Sequence, residues 1–471
     1  MTRLTIVPAA LAAALLAAAP AAAEERPVAL DSQTGVAVTI YNGDLALVND
    51  QRTVKLDQGR NLLGFIDVSG RMRPETALLR GGNGVELKLI EQNFNFDLLT
   101  PEKLLEKSVG QTVRVARVNP ATGQETIVDA KVLSAAQGIV LQIGDRIETG
   151  IPGRLIFAGV PANLRARPTL VVELDSSKAM ASAPVELSYL TGGLTWRADY
   201  VAELNAKEDR LDLNGWVTLT NTSGTIYKEA RMQLVAGDVN LVRHYLDKAS
   251  GGATVARAVP APEMREETFF DYHLYTLGRP TTIADNQTKQ VALLSAAAVA
   301  AVKEYRLAGG SYVYQQRIAP IAKPKVAVTL EFANDDKAGI GLPLPGGIVR
   351  VYKRDASGQA QFVGEDRIDH TPKGEKVRLN VGSAFDVTAE RKQTEYTRLG
   401  DRMFESAHEI TLKNARAEPV TVTVSETLPG DWQMLQESAK HTKVTSSQAE
   451  WHVAVPAGGS AKLTYKVRIT L

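Results

Sequence analysis

Cysteine is absent from the 471 residues of this chain. Without it the chain has no structural disulfide, thiolate nucleophile or cysteine-based metal site, and no cysteine to carry a lipid. We therefore expect the folded chain to depend on the packing of its hydrophobic cores.

Long hydrophobic runs are scarce as well. Near the N-terminus, Arg3 precedes an apolar stretch rich in alanine and leucine, which ends in small residues ahead of Glu24. This pattern is typical of a secretory signal peptide. It predicts cleavage after residue 23 and a periplasmic or extracellular location. The longest later run, residues 291–302, is shorter than the roughly 20 residues that span a membrane, so no membrane span is expected after cleavage.

Excess charge of one sign is also lacking. Lysine and arginine total 54, against 53 aspartates and glutamates. The chain therefore has no strong net field to draw it to nucleic acid, and we expect no nucleic-acid partner.

Motifs of common catalytic sites are missing too, among them the nucleophile elbow, the zinc-protease helix and the glycine-rich phosphate loops. The histidines are scattered singly, without the short spacing of zinc ligands; they are His244, His273, His370, His408, His441 and His452. From the residues alone we predict no cofactor, no metal ligand and no catalytic residue.

What the sequence does contain is a period of two. In residues 461–470, Leu463, Tyr465, Val467 and Ile469 alternate with polar residues, and residues 420–425 alternate in the same way. This pattern predicts antiparallel strands with one buried face. The frequent turns favour an all-β fold of tandem antiparallel β-sandwich or immunoglobulin-like domains.

The length suits several domains in series. We predict a signal peptide at 1–23, an N-terminal β unit at 24–100, and a small barrel-like β domain at 101–165. This insertion opens with a short helix that Thr100 caps and that ends near Lys107. A central β-sandwich region follows at 166–400, with a mobile loop near 249–267, and an immunoglobulin-like sandwich at 401–471.

One candidate binding segment surrounds Trp196 and Arg197. Alternation places Trp196, Ala198 and Tyr200 on one face of a strand, which favours a buried aromatic face. The alternative is a tryptophan that stacks on a sugar or a peptide. The other tryptophans, Trp216, Trp432 and Trp451, are expected in the cores.

A second candidate segment follows the expected loop and contains Tyr272, His273, Tyr275 and Arg279. Tyrosine and arginine are favoured in recognition surfaces, although a buried strand would use similar residues. Both interpretations stay open from sequence alone.

Ionisable residues are densest at residues 365–375, where they surround His370. Carboxylates beside a histidine can do acid–base work or hold a hard cation. The simpler interpretation is a solvated hairpin with local ion pairs.

Four runs resemble an exported bacterial family, the domain of unknown function 4139. They are YLTGGLTWRADY at 189–200, GWVTLTNTSGTIYKEARMQLVAGDVN at 215–240, YHLYTLGRPTTIADNQTKQVALL at 272–294 and GEDRIDHTPKGEKVRL at 364–379. The similarity extends from about residue 183 to the C-terminus, and the family is distantly similar to mucoidy-inhibitor proteins. The resemblance implies export and a β fold, and it carries over no catalytic residue.

Two functional hypotheses follow. The first is a non-catalytic cell-envelope protein that binds or organises an envelope protein or polysaccharide. The second is an envelope hydrolase or metal-dependent enzyme with an unrecognised carboxylate site near His370.

Overall fold

The computed structural model describes residues 24–95, 97–136, 138–151, 153–161, 164–237, 264–269, 272–318 and 322–471. These residues are almost all in strands or the turns between them, which confirms the all-β class. The expected signal peptide and most of the loop expected near 249–267 lie outside the described residues. The chain forms two compact units: one takes residues up to 37, 47–192 and 223–229, the other 38–46, 193–222 and 230–471.

The strands up to residue 191 are short and mostly antiparallel. They are β1 (Glu25–Val28), β2 (Gln33–Tyr41), β3 (Leu45–Leu56), β4 (Gly59–Ile66), β5 (Leu78–Gly81), β6 (Leu87–Asn95), β7 (Thr112–Val118), β8 (Glu125–Ser134), β9 (Val140–Ile143), β10 (Arg146–Thr149), β11 (Arg154–Ile156), β12 (Thr169–Ser176) and β13 (Met180–Thr191).

Two sheets lie wholly within the first unit. One has the strand order β1-β4-β12-β6, and the other has the order β10-β9-β8-β7-β11 around a small core that includes Val115, Val132 and Leu141. The helix α1 (Pro101–Lys107) precedes the second sheet, and the Thr100 side chain accepts a hydrogen bond from the Lys103 N–H. The predicted cap and helix are confirmed.

The strands after residue 191 include two of 23 residues each. They are β14 (Leu194–Leu204), β15 (Arg210–Asn221), β16 (Tyr227–Ala236), β17 (Arg265–Phe269), β18 (Tyr272–Thr276), β19 (Thr281–Ile283), β20 (Gln287–Gly309), β21 (Lys325–Ala333), β22 (Gly347–Arg354), β23 (Ala360–Ile368), β24 (Lys376–Arg398), β25 (Met403–Asn414), β26 (Val420–Thr427), β27 (Asp431–Glu437), β28 (Thr442–Thr445), β29 (Gln448–Val455) and β30 (Ser460–Thr470).

One large sheet dominates the second unit. Its main path is β23-β22-β14-β15-β20-β21-β24-β25-β30-β27, with β26, β29 and β28 branching from β20. The 23-residue strand β20 contains the apolar run 291–302 and pairs first with β15, then with β21 and β26. Among the described residues, no helix is long and apolar enough to cross a membrane.

The C-terminal core lies between two sets of paired strands, β21-β24-β25-β30-β27 and β26-β29-β28. Leu463, Tyr465, Val467 and Ile469 are all buried, as their alternation predicts. The ladder of β24 and β25 joins residues on both sides of position 400. The immunoglobulin-like sandwich stays a prediction.

The tryptophans differ in burial. Trp451 is fully buried, which confirms its predicted place in the core. Trp216 and Trp432 are half-buried, and Trp432 packs at the margin of the C-terminal core. The Trp432 indole N–H donates to the Ser446 carbonyl at 2.7 Å, and the Lys443 ammonium lies 4.7 Å from its ring centre. These contacts fix the position of the Trp432 ring.

Candidate functional site

Strands β14, β22 and β23 lie side by side at one edge of the large sheet in the second unit. Strand β22 begins at Gly347, opposite Ala198 of β14, and β23 ends at Ile368, which is also opposite Gly347. The edge holds an open cavity of about 300 Å³, which we call the Trp196 hollow. Its lining residues are Asn42, Trp196, Arg197, Gly346, Arg367, Ile368, Asp369 and His370.

Gly347 allows β14 and β22 to approach each other closely. A Cβ at this position would lie 2.4 Å from the Ala198 carbonyl oxygen and 3.0 Å from the Tyr200 ring. Any side chain would therefore push the parallel strands apart. The pairing that brings Trp196 towards Gly346 depends on this glycine.

The loop before β22, residues 342–346, is held by two buried tyrosines. The Tyr200 hydroxyl donates to the Pro345 carbonyl at 2.8 Å, and the Tyr275 hydroxyl donates to the Pro343 carbonyl at 2.9 Å. Burial raises the pKa of both phenols, so each is a neutral donor at ordinary pH. The loop cannot move without breaking these bonds.

A second set of contacts joins this loop to the turn after β23. The backbones of Leu344 and Thr371 exchange two hydrogen bonds, of 2.8 and 2.9 Å. The amide nitrogen of the buried Asn334 side chain donates to the carbonyls of Leu342 at 3.0 Å, Thr371 at 3.3 Å and Pro372 at 3.0 Å. The two loops that flank the hollow therefore form one fixed frame.

Trp196 is half-buried, and its indole Nε1 is buried without a hydrogen-bond partner among the described residues. An unpaired buried donor costs free energy. The expected buried aromatic face holds for Ala198 and Tyr200. Trp196, at the start of the same strand, lines the hollow instead.

Arg197 is exposed, and its Nε donates to Asp199 at 3.1 Å. The buried Asp199 carboxylate also accepts from Arg350 at 3.0 Å and from the Thr218 hydroxyl at 2.9 Å. Asp199 is therefore fully engaged. The terminal nitrogens of Arg197 form no hydrogen bond within the described residues.

Arg367, Asp369 and His370 are exposed at the end of β23. The His370 Nδ1 accepts a hydrogen bond from the Gly346 N–H at 3.1 Å. This bond assigns the proton of the neutral imidazole to Nε2. The Arg367 guanidinium, the Asp369 carboxylate and the His370 Nε2 make no bond to the described part of the chain.

The other members of the ionisable cluster are engaged by groups elsewhere in the chain. Strands β23 and β24, on either side of the turn, pair with β22 and with β21 and β25 rather than with each other, so they do not form the expected hairpin. Glu365 lies 3.2 Å from Arg350, and Lys373 lies 2.8 Å from Asp336. Asp366 accepts from the Asn380 N–H at 2.7 Å. For these residues the ion pairs of the simpler interpretation are present, whereas Asp369 and His370 also line the hollow.

The second candidate segment is divided by the fold. Tyr275 is only 1% exposed. Its burial favours a role in holding the loop before β22 rather than in contacting a ligand. Tyr272 packs on Gly237, where a Cβ would lie 2.5 Å from its ring, and the Gly237 carbonyl accepts from Asn42 at 3.4 Å. His273 and Arg279 lie apart from the hollow.

His273 pairs with Glu266 through Nδ1 at 2.8 Å. Arg279 is exposed and lines a separate cavity of about 30 Å³ beside Met264 and Val291. Binding roles for Tyr272, His273, Tyr275 and Arg279 stay predictions.

Sequence reasoning did not select Asn42, Gly346 or Arg367 as members of one site. Asn42 precedes β3, Gly346 precedes β22 and Arg367 lies near the end of β23, so only tertiary pairing brings them together. Residue type gives no local signal for this. Within the described ranges, no group of three or more histidine, aspartate or glutamate side chains is arranged to hold a metal ion.

The fold and the hollow define an all-β protein with an open polar and aromatic surface site. A family model described as Domain of unknown function (DUF4139) matches residues 185–471. The chain belongs to this family. The match contains every residue that lines the hollow except Asn42. A comparison with curated proteins found no match.

Proposed function

We propose that this chain is an exported, non-catalytic protein of the cell envelope, and that its Trp196 hollow binds a polysaccharide. The observation that carries the proposal is the convergence of Trp196, Arg197, Arg367, Asp369 and His370 on one open cavity. A tryptophan ring offers an apolar face to the C–H groups of a sugar. The polar side chains offer donors and acceptors to its hydroxyl groups.

The form of the hollow favours a polymer. Its volume of about 300 Å³ lies at the lower end of the range for ligand sites. Arg197, Arg367, Asp369 and His370 are exposed, so the site is open to solvent. A polysaccharide residue could be held while its neighbours continue along the surface.

The fixed frame around the hollow supports binding as well. Tyr200, Tyr275 and Asn334 hold the flanking loops through buried hydrogen bonds. A site that is ordered before binding loses less conformational entropy when the ligand arrives. The same frame would allow specific recognition by a few side chains.

The proposal also includes export of the chain and an immunoglobulin-like domain at its C-terminus. The pattern of residues 1–23 and the absence of cysteine support passage through a secretory route without disulfides. The shared core around Trp451 and Tyr465 supports an immunoglobulin-like arrangement at the C-terminus.

An array of purified bacterial polysaccharides tests the proposal. The chain from residue 24 to 471 is applied as wild type, as Trp196→Ala, and as Phe385→Ala. Phe385 is 93% exposed and does not line the hollow, so its variant controls for the loss of an exposed aromatic ring. We expect at least one polysaccharide to bind the wild type and F385A but not W196A.

Three results would contradict the proposal. Binding that W196A retains would place the ligand elsewhere. Release of shortened oligosaccharides from a bound polysaccharide would instead support the hydrolase hypothesis. Capture of an envelope protein, with no polysaccharide bound, would favour the protein-partner hypothesis.

A further inference from the structure

Resting on the proposed polysaccharide function, we infer that the Trp196 hollow selects a sugar that carries a carboxylate. The hydrogen-bonding inventory of the lining supports this ligand class. Hydrogen-bond donors in the hollow outnumber acceptors, and the Arg367 guanidinium has no ion-pair partner among the described residues.

The donors come from three side chains, Arg197, Arg367 and His370. The Trp196 indole N–H is buried without a partner among the described residues and is not counted with them. Arg197 uses only its Nε in the contact with Asp199, and the Arg367 guanidinium makes no bond to the described residues. The Nδ1 of His370 is occupied by the Gly346 N–H, which leaves Nε2–H as a donor in the neutral ring.

The acceptors are fewer. Asp369 supplies a carboxylate that makes no bond to the described residues, and Asn42 supplies an amide oxygen while its nitrogen donates to Gly237. The carboxylates behind the lining are already engaged. Asp199 is held by two arginines and a threonine, and Glu365 by Arg350.

The excess of hydrogen-bond donors over acceptors favours an acidic sugar over a neutral one. Each hydroxyl of a neutral sugar brings a donor with its acceptor, whereas a carboxylate brings acceptors only. Guanidinium groups bind carboxylates through charge-assisted and often paired hydrogen bonds. We therefore assign Arg367 and Arg197 to the carboxylate, and Trp196 to the ring. Asp369 would accept from a sugar hydroxyl and so fix the orientation.

Calorimetry with a matched pair of probes tests the inference. The acid probe is tri-galacturonic acid, and the neutral probe is its methyl ester, which keeps the same rings and linkages. We expect the wild-type chain to bind the acid at least about 10-fold more tightly than the ester, which corresponds to one charge-assisted contact. Raised salt should weaken binding of the acid alone.

Variants assign the contact. Arg367→Gln should weaken binding of the acid by about 10-fold and leave the ester unchanged. Arg378→Gln is the matched control, since Arg378 is an exposed arginine that pairs with Glu331 outside the hollow. Trp196→Ala should abolish binding of both probes.

The outcomes separate the inference from the proposed function. Equal affinity for acid and ester, lost in W196A, would overturn the inference and leave polysaccharide binding intact. Binding that R378Q weakens as much as R367Q would also overturn it. If neither trimer binds the wild type, the inference fails, and the polysaccharide array alone then decides the proposed function.

Discussion

The Tyr200 hydroxyl donates a 2.8 Å hydrogen bond to the Pro345 carbonyl. Tyr200 lies on the same strand as Trp196, and Pro345 directly precedes the Gly346 that lines the hollow. One strand therefore supplies both a proposed ligand contact and a support for the opposite wall. The relationship makes the stability of the sheet and the shape of the site depend on the same buried bond.

Removing that bond should lower the stability of the chain. Tyr200→Phe leaves the Pro345 carbonyl without its donor, and we expect a loss of about 1–2 kcal/mol in the free energy of unfolding. Tyr352→Phe is the control, because the Tyr352 ring packs on Phe362 and its hydroxyl bonds to none of the described residues; its effect should stay within about 0.5 kcal/mol. Urea denaturation measures the free energy of unfolding of both variants. Equal losses in Y200F and Y352F would contradict the proposed support of the loop by Tyr200.

Gly347 should not tolerate a methyl group. Because its Cβ would lie 2.4 Å from the Ala198 oxygen, Gly347→Ala should destabilise the chain by about 1–3 kcal/mol through overpacking. Gly400→Ala is the matched control, since a Cβ there has no atom within 4 Å and should be close to neutral. A G347A variant as stable as G400A would show that β14 and β22 can separate without cost.

The buried Arg391–Glu426 ion pair should be sensitive to loss of one partner. Their side chains are 4% and 0% exposed, and Tyr314 donates to the same carboxylate at 2.6 Å. Glu426→Gln leaves the arginine charge uncompensated, at an expected cost of about 3–5 kcal/mol. Glu409→Gln breaks the exposed pair with Lys462 and should cost less than about 1 kcal/mol. Equal losses of stability in E426Q and E409Q, measured by thermal or urea unfolding, would contradict this account.

His408 should make stability depend on pH. Burial, and then the charge of Arg391, lower the pKa of His408 to about 3 from an ordinary 6.5. Between these values the unfolded chain binds a proton that the folded chain does not, so stability should fall as the pH falls through that window.

Urea unfolding at about pH 7.5 and about pH 5 checks this, because most carboxylates stay ionised over that interval. His408→Gln should show a smaller loss of stability between the two conditions than the wild type. An unchanged loss in H408Q would assign the pH dependence to other groups.

The local parts of the fold could be predicted from the sequence. Alternation identified the buried face of β30, and Thr100 followed by Pro101 identified the start of α1, because both signals depend on near neighbours. Trp451 was predicted in the core and lies there. These features need no knowledge of distant pairing.

The site could be predicted only in fragments. Trp196 and His370 were selected separately, but the parallel pairing of β14 with β22 unites them, and no local period encodes the partner of a strand. The buried role of Tyr275 depends on a carbonyl at Pro343. A tyrosine in an aromatic segment looks the same in sequence whether it supports a loop or contacts a ligand.

The most direct test of the Trp196 hollow as the ligand site is fluorine NMR of the wild-type chain labelled with 5-fluorotryptophan. The chain contains four tryptophans, and Trp196→Phe assigns the resonance of Trp196. A polysaccharide that binds on the array is titrated into the labelled chain. The account predicts that the Trp196 resonance shifts with saturation while those of Trp216, Trp432 and Trp451 stay in place. A saturable shift at another tryptophan, with Trp196 unmoved, would contradict it.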